Sequence, residues 1–210
     1  KVEIEIEKGV RVEMVRNFCY LGDIIDVNGG VETAITRRIQ KAWCKFRELR
    51  PILTRKGLAS KIKGRVYSAC VRSTMVYGSE TWPMKEEQEQ KLERVEMQMV
   101  RWMCGVKLAD GIKSEELRKK LGIEAVRVVL KKGRLRWWGH VERREDMHWL
   151  KKCMKFEVEG KKPVGRPRKA WREVIRKDMK DWGLKEEMAL NRREWRKGLR
   201  RQNGHEPLGV

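Results

Sequence analysis

Between residues 33 and 103 one pattern recurs three times: apolar side chains three or four positions apart, set in otherwise polar sequence. From Thr33 to Leu53 these are Ile35, Ile39, Ala42, Phe46 and Leu49. From Leu58 to Val76 they are Ile62, Val66, Ala69 and Val71, and from about Lys85 to Met103 they are Leu92, Val95, Met99 and Met103. Such spacing puts each set on one face of a helix, and a one-faced helix must bury its stripe against a neighbour. Gly57 and Pro83 interrupt the run, so the connections are short and antiparallel packing is expected. The pattern predicts a helical unit over residues 31–105.

The preceding residues follow a different period. Val2, Ile4 and Ile6 alternate with glutamates, and Val10, Val12 and Met14 alternate with Arg11 and Glu13 beyond Lys8-Gly9. Alternation around a glycine turn predicts a β-hairpin. Phe18 to Ile25 adds a third short strand, ending at Asn28-Gly29-Gly30. After residue 105, Ser114 before Glu115 and Glu116 opens a helix that Gly122 stops. Ala125–Val141 is a basic helix, broken or capped near Gly139, and a shorter one covers Met147–Phe156. Prolines and glycines make the 160–169 stretch an extended basic linker, followed by helices over Ala170–Trp182 and Asn191–Arg201. The expected fold class is mainly α. A short N-terminal β-hairpin or three-strand piece (1–30) leads into a helical bundle (31–105). A basic helical connector (106–158), the linker (159–169) and a small basic C-terminal helical unit with its tail (170–210) complete it.

Charge narrows the partners. The chain has 51 Lys and Arg against 30 Asp and Glu, a net of +21, and residues 131–201 alone hold 25 basic against 11 acidic residues. So large a surplus repels itself in a compact state, and a polyanion relieves it. Nucleic acid is the first candidate and an anionic membrane surface the second. No stretch approaches the roughly 20 apolar residues of a membrane span. Five scattered cysteines without a Cys-x-x-Cys pair argue against a zinc knuckle, and reduced, buried thiols in an intracellular protein are expected.

No catalytic constellation stands out. Two-metal chemistry needs paired carboxylates around ions about 4 Å apart, yet no two of Asp23, Asp26, Asp110, Asp146, Asp178 and Asp181 are adjacent. Asp178 and Asp181 on a basic helix suit solvated pairing with Lys and Arg. His140 and His148 with Glu145 are the one arrangement from which a metal-dependent nuclease could be built. The expectation is a chain with no catalytic site, metal or cofactor of its own.

Three strings stand in fixed order: Phe18-Cys19-Tyr20-Leu21-Gly22, Tyr77-Gly78-Ser79-Glu80-Thr81-Trp82 and Arg136-Trp137-Trp138-Gly139-His140. With Gly165-Arg166-Pro167-Arg168-Lys169 and Trp171 they resemble the region that follows the catalytic palm in non-LTR (LINE-type) retrotransposon reverse transcriptases, over about residues 15–200. The resemblance implies the primer-grip hairpin, helical thumb and C-terminal segment of an RNA-directed DNA polymerase. Its partners would be the RNA and DNA of a template–primer duplex and the absent palm and fingers, with Mg in the complete enzyme. No membrane or small-molecule ligand is implied, and the location would be intracellular, in the nucleus. The family's catalytic Tyr-x-Asp-Asp segment lies outside this chain, and the cysteine-rich knuckle of many relatives is missing.

On this resemblance Phe18, Tyr20, Leu21 and Gly22 are primer-grip-like; Phe18 and Leu21 also read as anchors of the strand on the core. Arg37, Arg38, Lys41 and Lys45, read as opposite the apolar stripe, are candidates for phosphate contact, since a thumb must hold any sequence by its backbone. Trp82 is expected to plug the inter-helix groove, and Glu80 to serve as a cap or ion-pair partner. Arg134, Arg136 and Trp137 combine charge with an aromatic face suited to unpaired bases, one of Trp137 and Trp138 being in a small core. Trp171, Trp182 and Trp195 fit core anchors. Gly165-Arg166-Pro167 with Arg168 and Lys169 is also the core of an AT-hook, which lays arginines into a narrow minor groove. An alternative reading follows from it: a freestanding, element-derived nucleic-acid or chromatin adaptor.

Overall fold

The computed structural model describes residues 3–7, 10–27, 29–156, 165 and 169–201. Strand β1 (Glu3–Glu7) pairs antiparallel with β2 (Val10–Glu13), Ile4 opposite Val12. The expected third strand is instead a second hairpin, β3 (Asn17–Tyr20) with β4 (Asp23–Asp26), and the two hairpins form separate sheets. Leu21 and Gly22 make its turn with φ of 48° and 81°. A two-residue hairpin loop needs both central residues there to match the strand twist, so Leu21 accepts a conformation that usually falls to glycine.

Three rods follow. The first is α1 (Glu32–Leu53) and the third is α4 (Glu86–Cys104). The middle rod joins α2 (Ser60–Val66), a π-helical stretch (Tyr67–Arg72) and α3 (Ser73–Met75). Lys63 Nζ reaches the Met103 carbonyl and Arg72 pairs with Glu96, so the middle rod runs antiparallel to α4. Glu32 pairs with Lys91 and Trp43 meets Trp102, so α1 and α4 run parallel. The inward positions of the middle rod are Lys63, Tyr67, Val71 and Met75, each four residues on. That spacing drifts about 40° per step around an α-helix, and the wider π turns absorb the drift. Ile62 and Ala69, expected inside, therefore face solvent.

The first core gathers Ile35, Phe46, Tyr67, Val71, Leu92 and Met99 with Leu117 and Leu121 of α5 (Ser114–Leu121). Buried Glu96 accepts hydrogen bonds from Arg72 and from the Val126 amide, satisfying an otherwise orphaned donor at the start of α6 (Val126–Glu142). Helix α6 serves both cores. Val126 and Leu130 enter the first, while Leu135 and Trp138 enter a second, with Ile175 and Met179 of α8 (Trp171–Asp181) and Trp195 of α9 (Arg192–Arg201). The short α7 (Trp149–Lys155) lies between α6 and α8 in the chain. Gly139 does not break α6. It makes room for Trp195, because a Cβ there would lie 2.3 Å from Nε1 of that indole. Trp171 and Trp182 flank the second core, as their spacing predicts.

The five cysteines are free thiols, and Cys19, Cys44, Cys70 and Cys153 are exposed rather than buried. Cys44 and Cys70 fall beside the buried stripes of their helices, not on them.

Candidate nucleic-acid interface

The ordered strings meet in space. Arg38 donates to the Gly22 carbonyl while its guanidinium lies 4.2 Å from the centre of the Tyr77 ring, and the Tyr77 hydroxyl donates to the Leu21 carbonyl at 3.3 Å. Trp82 Nε1 donates to Asp23 Oδ2 at 3.1 Å. The second string thus clamps the turn of the first. It also carries the C-terminal unit: Trp171 Nε1 donates to the Glu80 carbonyl at 2.8 Å, and Glu80 packs over Gly133 of α6. Trp82 is buried, as a groove plug should be. Glu80 acts here through its backbone carbonyl, and among the described residues its side chain forms neither the expected cap nor an ion pair.

Beside this junction opens a groove of about 1230 Å³ between α6, α9 and the turn at Ser79–Thr81. Its walls carry Arg136, Trp137 and His140 from α6 and Arg192, Arg196 and Arg200 from α9. The α9 arginines recur every four residues, which aligns them on one exposed face, while Trp195 and Leu199 on the adjoining face seat the helix on the body. Of the two glutamates in the lining, Glu124 pairs with Lys132. Among the described residues Arg136, Arg192, Arg196 and Arg200 form no ion pair.

The groove's field is visible in its own titrating groups. The His140 ring is pushed below its ordinary value, first by burial and then by Arg144, Arg143, His148 and Arg192. The Arg143 guanidinium is pushed down by burial and by Arg192, although it donates to the Ala189 carbonyl at 2.7 Å. Like charges held this close destabilise one another until an anion arrives. The Trp137 ring stacks on His140 at 5.3 Å, which fixes a half-buried aromatic face beside the arginines.

The sequence-derived residues distribute unevenly over this surface. Arg136 and Trp137 line the groove. Arg134 does not face solvent: it is 0% exposed and held by Glu89 and Asp178. It stands midway between Leu130 and Trp138, on the buried stripe of α6. Asp178, expected to be solvated, is likewise buried. Arg38 is withdrawn into the hairpin junction, for it lies three residues from Ile35, at the stripe's edge and not opposite it. Arg37 and Lys41 are exposed on α1, and Lys45 pairs with Glu48; none of the three lines the groove.

In the hairpin Phe18, Tyr20 and Leu21 point outward, with Phe18 55% and Leu21 77% exposed, so neither Phe18 nor Leu21 anchors the strand. Gly22 is where backbone approaches closely, since a Cβ would lie 3.3 Å from Arg38 Nη2. Lys169 donates to the Met84 carbonyl at 2.8 Å. Arg166 and Arg168 lie outside the described residues, as does most of the linker. His148 Nδ1 accepts from the Leu150 amide and His140 Nε2 faces Arg144. No three His, Cys, Asp or Glu side chains among the described residues converge to hold a metal. Sequence reasoning does not single out the arginines of α9, although their spacing of four is a signal that could have found them.

Fold and site together define a mainly helical, strongly basic chain with an open cationic groove. No family model and no solved structure matches it. It is 25% identical over 208 residues to an uncharacterized transposon-derived protein of Caenorhabditis elegans, covering 91% of this chain and 72% of that protein. The similarity supports a transposon-related origin. No helix of the described residues is long and apolar enough to cross a membrane.

Proposed function

We propose that the chain is the nucleic-acid-holding, C-terminal part of a LINE-type reverse transcriptase, and that it grips the sugar-phosphate backbone of a template–primer duplex in the α6–α9 groove. One observation carries this reading. Four arginines (Arg136, Arg192, Arg196 and Arg200) converge on an open groove, form no ion pair among the described residues, and outnumber the two glutamates of its lining, of which Glu124 is already held by Lys132. Phosphate oxygens spaced along a strand answer that array, and contacts of this kind hold a duplex without reading its sequence. The transposon-related origin supports the same reading, as does the clamp that Tyr77, Arg38 and Trp82 place on the hairpin turn. Catalysis would belong to a palm outside this chain, and its Mg with it. Arg37 and Lys41, exposed on α1, would offer further phosphate contacts outside the groove.

Binding of RNA–DNA hybrids of unrelated sequence tests the proposal. The wild-type chain should bind them alike, and Arg192→Glu with Arg196→Glu should lower every affinity more than ten-fold at unchanged stability. Affinity indifferent to the double reversal would refute it. Reading the genomic frame upstream for a Tyr-x-Asp-Asp palm tests the polymerase assignment separately.

A further inference from the structure

A second surface carries aromatic and cationic groups that the groove does not use. The C-terminal end of α1, the face of α4 from Gln90 to Trp102 and the segment after Gly105 line a depression of about 1290 Å³ that shares no lining residue with the α6–α9 groove. Trp102 stands at its edge with 51% of its surface open. Its ring is not free to swing: Trp43 and Phe46 each meet it edge-on with centroids 6.0 Å away. Arg50, Arg94, Arg101 and Lys107 line the same depression. The one acid in the lining, Glu93, is already engaged by Arg118 and Arg127. The ends of α1 and α4 contribute about half a negative charge each, too little to offset four full cations.

We infer that this depression is a second nucleic-acid site, specific for a single strand, with one unpaired base on Trp102 and the flanking phosphates on Arg50, Arg94, Arg101 and Lys107. A pinned aromatic presents a flat face with little ordering left to lose on binding, and every base offers a π-face to it. Charge complementarity excludes a cationic occupant. The ring favours a strand of bases over an acidic peptide, which would need the cations alone.

Binding of a single-stranded oligothymidylate to the full chain tests this, with a duplex of equal length as reference. Trp102→Ala should weaken the single strand roughly ten- to a hundred-fold, Trp102→Phe should restore most of the affinity, and duplex binding should stay constant. Arg94→Ala, a change at an exposed position, should lower the single-strand salt slope by about 0.7 at an unchanged melting temperature. Single-strand affinity indifferent to both Trp102→Ala and Arg94→Ala would overturn the inference. So would displacement of the oligonucleotide by oligoglutamate at equal charge, irrespective of Trp102. A parallel fall in duplex binding in Trp102→Phe would assign the effect to the fold or to the α6–α9 groove and overturn it as well.

Discussion

Arg134 Nε donates to Asp178 across 2.7 Å in the protein interior, while Nη2 of the same guanidinium reaches Glu89 at 3.0 Å. One side chain of α6 therefore ties α4, in the first core, to α8, in the second. Removing one partner of a buried pair leaves the other charges stranded, which costs about 3–5 kcal/mol. Arg134→Ala should lose that much in denaturant unfolding. Arg136→Ala, two residues on and exposed, should stay within about 0.5 kcal/mol of wild type. Equal stability of the two variants would mean that the cores are not joined through Arg134.

Two glycines make the packing testable. A Cβ on Gly64 would lie 1.9 Å from the Leu121 carbonyl oxygen, and one on Gly139 would lie 2.3 Å from the Trp195 indole, whereas Gly30 has nothing within 4 Å. Overpacking of this kind costs about 1–3 kcal/mol. Gly64→Ala and Gly139→Ala should lower the unfolding midpoint, Gly139→Ala should also perturb the near-ultraviolet signal of Trp195, and Gly30→Ala should change neither.

Much of the helical fold is legible in the stripes of Ile35–Leu49 and Leu92–Met103, because burial enforces a period that survives any surface composition. What periodicity hides is charge standing on a stripe. Glu89, Glu96 and Arg134 occupy core-facing positions and are buried, and a reading that assigns every cation to solvent misplaces Arg134 and Arg38. The site is less legible. Arg136 and Trp137 stand in a conspicuous string, but Arg192, Arg196 and Arg200 matter only because Trp195 turns α9 onto α6. That contact joins residues about sixty apart in sequence and leaves no local trace. The β3–β4 turn is hidden for a similar reason: Leu21 takes a positive φ that its own chemistry does not advertise.

The hairpin should depend on its clamp. Arg38→Ala removes the donor to the Gly22 carbonyl, and Tyr77→Phe removes the one to Leu21. Each of these hydrogen bonds is worth about 0.5–1.5 kcal/mol, more where the donor is charged. Amide exchange over residues 17–26 should accelerate, more in Arg38→Ala than in Tyr77→Phe, while the amides of α4 keep their protection. Acceleration throughout the chain would contradict a local role for the clamp.

His140 gives the groove a pH dependence whose sign is fixed. Its folded-state value lies below the ordinary 6.5 because burial and then Arg144, Arg143, His148 and Arg192 disfavour the proton. The unfolded chain binds that proton more readily, so His140 lowers folded stability as pH falls through about 6.5 and has no such effect at higher pH. A bound polyanion reverses the local field and favours protonation. Hybrid affinity should therefore rise between pH 8 and pH 6, and His140→Gln should remove that component. An identical pH profile in wild type and His140→Gln would show that the ring does not sense the ligand.

The most direct test is the salt dependence of RNA–DNA hybrid binding by wild type and by Arg136→Ala with Arg196→Ala. Counterion release predicts a steep fall of log affinity with log salt. The slope should be shallower by about 0.9 for each phosphate that is no longer neutralised, and so by about 1.8 in the double variant, at unchanged stability. A slope that the two substitutions leave untouched would contradict the claim that the α6–α9 groove holds the nucleic-acid backbone.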